Sequence, residues 1–193
     1  MSLTFASGNK GKLSEVAAVL EPLGIKINGL DEIGFSGEIP ETADTLKGNA
    51  LIKAEFVFNK FAMNCFADDS GLEVEALNGA PGVFSARYAG AQKSDAANIS
   101  KLLSELEGEK NRKACFKTVI ALIIDGKTHI FEGIIEGTIN QTMLGTNGFG
   151  YDPVFIPNGY SKTFAEMTKE EKNKISHRAL AVKQMFDFLK TVK

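Results

Sequence analysis

Two spacings of apolar residues organise the chain. Leu13, Val16, Ala17 and Leu20 recur at i, i+3, i+4 and i+7, the pattern of a helix with one buried face. The same period returns in Leu46, Ala50, Ala54, Val57, Phe58 and Phe61, then in Ile99, Leu102, Leu103 and Leu106. It returns a last time in Ile175, Ala179, Val182, Phe186 and Leu189. Gly24 is placed to end the first helix, Asp44 or Thr45 to cap the second, and Ser94 or Asp95 to cap the third. Between the helices lie short apolar runs that read as strands: residues 3–6, 25–27, 64–67 and 154–156. Ala114 to Ile124 and Lys127 to Ile139 flank Asp125-Gly126, a strong hairpin signal. Residues 31–44, polar and acidic, and the Gly/Pro-rich stretch from Gly71 to Gly90 read as loops. The alternation predicts an α/β fold: a mixed twisted sheet with flanking helices and a long antiparallel hairpin in the second half.

Composition narrows this picture. A length of 193 residues suits one sizeable domain with a real core. A net charge of −2 argues against a general nucleic-acid binder, while leaving room for a small anionic ligand held by a few local cations. No apolar run is long enough to span a bilayer. The opening Met1-Ser2-Leu3-Thr4-Phe5-Ala6 reads as a first strand rather than a signal peptide. Cys65 and Cys115 sit in strand-like runs without CxxC spacing, as buried free thiols of a reducing cytoplasm would.

Four segments carry candidate chemistry. Asp68-Asp69-Ser70-Gly71 follows Cys65-Phe66-Ala67 and reads as an acidic turn at a strand's end. Two adjacent carboxylates there need water, a cation or donors. The place is where open α/β sheets bind ligands, though a solvated turn has the same composition. Ser7-Gly8-Asn9-Lys10-Gly11-Lys12 joins a strand to a helix. Such a junction aims backbone N–H groups and the positive helix end at an anion. It has neither Walker A nor G-x-G-x-x-G spacing, and an ordinary Gly-containing turn is the alternative. Gly148-Phe149-Gly150-Tyr151-Asp152-Pro153 offers a phenyl ring between glycines that could stack on a base or tuck into the core. Lys169 to Arg178 is a charge run; within it His177-Arg178 supplies donors suited to a ring carbonyl. No His/Cys cluster suggests zinc, and His129, alone in a strand-like run, reads as a surface or packing residue.

Taken in order, these pieces resemble the inosine-triphosphate pyrophosphatase family over nearly the whole chain. The resemblance rests on Phe5 to Lys12 with Glu15, on Gly48-Asn49-Ala50-Leu51-Ile52-Lys53-Ala54 and on Ala67 to Leu72. It continues through Gly79 to Tyr88, Gly148 to Pro153, and Lys172 followed by Ile175-Ser176-His177-Arg178. It implies one nucleotide pyrophosphatase domain over residues 1–193, in two lobes with the active site in the cleft. It implies a cytoplasmic, Mg²⁺-dependent homodimer that converts ITP, dITP and XTP to the monophosphate and pyrophosphate. By position, Asp69 is the catalytic carboxylate. Ser7, Gly8, Asn9, Lys10, Gly11 and Lys12 hold the triphosphate, with Lys53 and Ser70 beside it. Phe149, Gly150, Tyr151, Asp152, Lys172, His177 and Arg178 surround the nucleoside. Asp69, Glu41 and Asp68 form the metal side. Ser7 stands where Thr is commoner in the family, and Lys47-Gly48 where an acidic residue often precedes Asn49.

The expected reaction has Asp69 activating water for attack at the α-phosphorus. Lys10, Lys12 and Lys53 neutralise the phosphates. Selection rests on the purine six-position, where donors from His177, Arg178 and backbone amides pair with a carbonyl and meet no partner on adenine.

Overall fold

The computed structural model describes residues 2–192. Its strands are β1 (Ser2–Phe5), β2 (Lys26–Asn28), β3 (Cys65–Val74), β4 (Lys113–Ile124), β5 (Lys127–Ile139) and β6 (Phe155–Pro157). Its helices are α1 (Lys10–Leu20), α2 (Leu46–Phe61), α3 (Asp95–Glu105), α4 (Lys169–Ile175) and α5 (His177–Leu189). The strands form one sheet in the order β2-β1-β3-β4-β5-β6. β1 runs parallel to β2 and to β3, and β6 runs antiparallel to β5, so the sheet is mixed, as the sequence pattern predicts. Asp125 and Gly126 both have positive φ, 50° and 75°. That is the backbone of a type I′ turn, and a two-residue connection can join only antiparallel neighbours.

The chain divides into two compact units. The first comprises the chain up to Asp69, Thr118–Gly133 and the chain from His177 on; the second comprises Ser70–Lys117 and Ile134–Ser176.

In the first unit the apolar run of β4 is buried on both sides. Ile120, Leu122 and Ile124 join Leu3, Phe5, Val16, Leu20, Val182 and Met185 against α1 and α5. Ala121 and Ile123 face the other way, onto Ala50, Ala54 and Val57 of α2. Helices on both faces explain why this strand reads as a continuous apolar stretch rather than an alternating one. Phe35, in the polar segment before α2, packs edge-on against Phe56 and Phe61. His129 packs its ring 4.2 Å from that of Phe188, the packing role its isolation suggests. In the second unit α3 contributes Ile99, Leu102 and Leu106 to a core with Leu72, Val74, Phe116, Ile139, Phe155 and Phe164.

Several expectations need correction. Asp68-Asp69-Ser70-Gly71 is not a turn, because β3 continues through it to Val74. Gly71 serves close packing there: a Cβ at that position would stand 2.4 Å from the carbonyl oxygen of Gly82. Beyond Val74 the Gly/Pro-rich stretch forms two 3₁₀ turns, Glu75–Leu77 and Gly82–Arg87. α1 ends at Leu20, and Gly24 closes the separate 3₁₀ turn Glu21–Leu23 with φ 79°. The charge run forms its own helix, α4, capped by Thr168 and Glu171; Ile175, expected on the face of the last helix, ends α4 and packs on the second unit's core, and α5 starts at His177. Cys65 is buried, as expected, but Cys115 is only half-buried. Among the described residues no helix is long and apolar enough to cross a membrane.

Candidate active site

The first unit gathers a buried cluster of charges where β1 stops. β1 pairs with β3 only as far as Phe5↔Phe66, so β3 outruns its parallel neighbour and carries Asp68 and Asp69 past its carboxyl end. The next residues of the chain after β1, Ala6 to Asn9, form the turn into α1. Lys10, Gly11 and Lys12, expected in the loop, are instead the first turn of that helix. Asn9 caps it, its Oδ1 accepting from the Lys12 N–H at 3.0 Å. By helix geometry the N–H groups of Lys10 and Gly11 find no acceptor within the helix and point outward from its positive end. Gly8 is exposed, with nothing within 4 Å of where a Cβ would stand, so a bound anion could approach the backbone closely.

The two aspartates have different surroundings. Asp68 is 0% exposed. Lys12 Nζ donates to its Oδ1 at 3.0 Å and Arg178 Nε to its Oδ2 at 2.9 Å. Arg178 Nη1 donates in turn to Glu15, a buried residue of α1. Burial alone would raise the Asp68 carboxyl, but Lys12, Arg178 and Lys53 outweigh it and hold the group well below the usual carboxylate range. Burial likewise opposes the charge of Arg178, and Asp68 and Glu15 more than restore it. The Lys12 ammonium is lowered, chiefly by burial, with Asp68 opposing. Asp68, expected on the metal side, therefore acts here as an internal anion between two cations.

Asp69 is held by longer contacts than Asp68. Asn49 Nδ2 donates to its Oδ2 at 3.2 Å, and Lys53 Nζ lies 3.4 Å from its Oδ1. Lys53 Nζ also lies 2.5 Å from Glu41 Oε1, which brings the 38–44 segment into the cluster. Burial raises the Asp69 carboxyl above its ordinary value, and Lys53 and Lys12 only partly offset this. Burial would lower the Lys53 ammonium, but Asp69, Asp68 and Glu41 raise it. Glu15, Glu41, Asp68 and Asp69 are thus joined through the cationic side chains of Lys12, Lys53 and Arg178.

Two members of this cluster, Glu15 and Asn49, fall outside the residues assigned from sequence. Asn49 holds the Glu41 segment as well as Asp69, since its Oδ1 accepts from the Ala43 N–H at 2.9 Å. A signal for it exists: Asn49 and Lys53 sit at i and i+4 beside the apolar row Leu46, Ala50, Ala54 and Val57, and polar residues buried on such a face require partners. Gly48 explains its own departure from the family pattern. A Cβ there would lie 2.5 Å from the Ala43 side chain, so glycine lets the preceding segment close on α2. Glu15 is marked only by its place in the family resemblance.

His177 and Arg178 open α5 and are both buried. A Cβ at Gly133 of β5 would lie 2.0 Å from the His177 carbonyl oxygen, so the glycine permits that approach. Two carboxylates fix the plane of the Arg178 guanidinium, leaving less of its fork for a ligand than the sequence suggests.

The second unit gathers the remaining residues. Lys172 Nζ donates to Asp152 Oδ2 at 2.5 Å, and both side chains are buried. The same oxygen accepts from the Phe149 N–H at 3.0 Å. Gly148 has φ 76°, and a Cβ would collide with that carboxylate. Lys172 Nζ lies 5.0 Å from the Phe149 ring centroid, so a cation–π contact steadies the half-buried ring. Gly150 N–H donates to Asp95 at 2.7 Å. Tyr151 is buried, its hydroxyl donating to the Ser85 carbonyl at 2.9 Å, so it supports the loop from within. Ser70 follows Asp69 on β3 and is half-buried.

Comparison with known proteins places the chain in a family. A Porphyromonas gingivalis protein named dITP/XTP pyrophosphatase is 60% identical over 188 residues, covering 97% of this chain and 96% of its own. One of the same name from Flavobacterium johnsoniae is 54% identical over 193 residues, all of both chains. The solved structure of the Staphylococcus aureus Ham1 protein superposes with a TM-score of 0.89 at 40% identity, covering all of both chains. The Coxiella burnetii HAM1 protein gives 0.89 at 41%, covering 99% of each. Residues 3–188 match the profile of the Ham1 family, and the chain belongs to that family.

Proposed function

We propose that this protein hydrolyses noncanonical purine nucleoside triphosphates (ITP, dITP and XTP) to the monophosphate and pyrophosphate. The observation that carries the reading is the buried carboxylate–ammonium cluster at the end of β1, beside the exposed N-terminus of α1. The relatives that match it along their whole length bear the name dITP/XTP pyrophosphatase.

Asp69 is the catalytic base. Its raised affinity for a proton brings it nearer the pH at which a general base works best. Asn49 holds its Oδ2, and Oδ1, 3.4 Å from Lys53 Nζ, is the oxygen we assign to orient a water. That water attacks the α-phosphorus and gives its proton to Asp69, and the bond to the pyrophosphate leaving group breaks. The N–H groups at the start of α1, with Lys10, receive phosphate charge.

The donor chemistry fits Mg²⁺. Glu41 and Asp69 present hard oxygen ligands 2.5 and 3.4 Å from one Nζ atom. Mg²⁺ takes one or two protein carboxylates and completes its shell with water and phosphate oxygens. Glu41 and Asp69 are the ligands we assign, and the ion supplies positive charge against the negative phosphates. In the second unit Phe149, steadied by Lys172, offers a flat face for base stacking. The rigid guanidinium of Arg178 suits recognition of a six-carbonyl. We further assign a cytoplasmic homodimer, checked by sedimentation.

The test is product identification after incubation with dITP, XTP, dGTP and dATP, with and without Mg²⁺. Monophosphate and pyrophosphate from dITP and XTP are expected. Diphosphate and orthophosphate, or no turnover, would overturn the reading.

A further inference from the structure

The cation between Glu41 and Asp69 is a side chain of the protein itself. Lys53 is 6% exposed, and its ammonium lies 2.5 Å from Glu41 and 3.4 Å from Asp69, on the two carboxylates that the proposed function assigns to Mg²⁺. An ammonium and a divalent ion cannot share that position. A metal entering alone would have to expel a buried cation from the two carboxylates it contacts, which is costly. A triphosphate changes the balance, because it brings fresh anionic oxygens onto which Lys53 can move.

We infer that Lys53 is an exchangeable internal cation that keeps Glu41 and Asp69 closed to Mg²⁺ until a triphosphate arrives. Metal and nucleotide binding are then positively coupled, each tightening the other by the same factor. The helix places Lys53 for this role. It lies one turn after Asn49 on the same face of α2, so its side chain can leave Asp69 while Asn49 still holds that carboxylate. This inference rests on the assignment of Glu41 and Asp69 as metal ligands.

Mn²⁺ titration followed by electron paramagnetic resonance, without nucleotide and at fixed pH, tests it independently of turnover. Lys53→Met should bind Mn²⁺ about tenfold or more tightly than wild type, and Lys53→Arg, which keeps the charge, should bind it as weakly as wild type. Lys53→Gln provides a second neutral variant should Lys53→Met fail to fold by circular dichroism. Equal or weaker Mn²⁺ binding by a folded neutral variant overturns the inference.

Wild type alone supplies a further check. Mg²⁺ alone should leave its Tm unchanged, yet raise the Tm of the complex with α,β-imido-ITP above that of the metal-free complex. A full shift with Mg²⁺ alone overturns the inference. If the product assay fails while the Mn²⁺ results hold, the proposed substrate is wrong and the role of Lys53 stands.

Discussion

Asp68→Asn is the most telling single substitution, because it keeps the shape of the side chain and removes one charge from a fully buried network. The carboxylate has no exposure, and each of its oxygens receives a hydrogen bond from a cation, at 3.0 Å from Lys12 and 2.9 Å from Arg178. The amide that replaces it can accept at one oxygen only, and its N–H₂ would face a cation. Removing one partner of a buried ion pair costs about 3–5 kcal/mol, because the other charge stays buried without compensation. That is a large part of the roughly 5–15 kcal/mol that holds a domain folded.

Urea unfolding at neutral pH should therefore show a loss of about 3–5 kcal/mol relative to wild type. The pH dependence has a definite sign. The folded carboxyl is depressed below its unfolded value of 3.8, so its contribution is fully present above that value and is lost as pH falls through the lower folded one. The gap between wild type and Asp68→Asn should be constant near neutrality and narrow in acid. A loss under about 1 kcal/mol, or a gap that widens in acid, would refute the network as described.

Asp69→Asn should fold but lose about 10²–10⁴-fold in turnover, and near-normal turnover would remove Asp69 as the base. In metal-free wild type the Asp69 carboxyl should titrate above its ordinary value, since burial raises it, and an NMR titration at or below about 4 would contradict this. Arg178→Ala should lower kcat/KM for ITP more than for ATP. The ratio of the two does not change with loss of folded protein, so an unchanged ratio counts against base reading by this residue. Gly71→Ala should lower stability by about 1–3 kcal/mol or more, as its Cβ would press on the backbone of Gly82, and a neutral result in thermal unfolding would show that the segment can yield.

Much of the architecture is legible in single residues. The i, i+3, i+4 rows mark the four longer helices, and Asp125-Gly126 marks the hairpin, because periodicity and turn chemistry act over a few residues. Thr45 and Ser94 cap the helices they precede for the same local reason. The run Asp68 to Gly71 misleads because its composition suits a turn, while its conformation depends on backbone that returns from Gly82 to lie against Gly71. Asn49 and Lys53 are marked as polar residues on an apolar face. Their partners are not, since Asp69 is 20 and 16 residues away in sequence.

By itself the sequence determined which chemical groups the protein holds and which local elements carry them: the acidic pair, the cationic helix start, the phenyl loop and the His-Arg pair. Only the tertiary structure decided how those groups divide the work. Arg178 lies 110 residues from Asp68 and 163 from Glu15, yet it binds both. It makes Asp68 a sealed anion, whereas Asp69, its neighbour in the chain, keeps an exchangeable lysine. Side chains alternate across a strand, so two adjacent aspartates meet different surroundings, and those surroundings are assembled from distant parts of the chain.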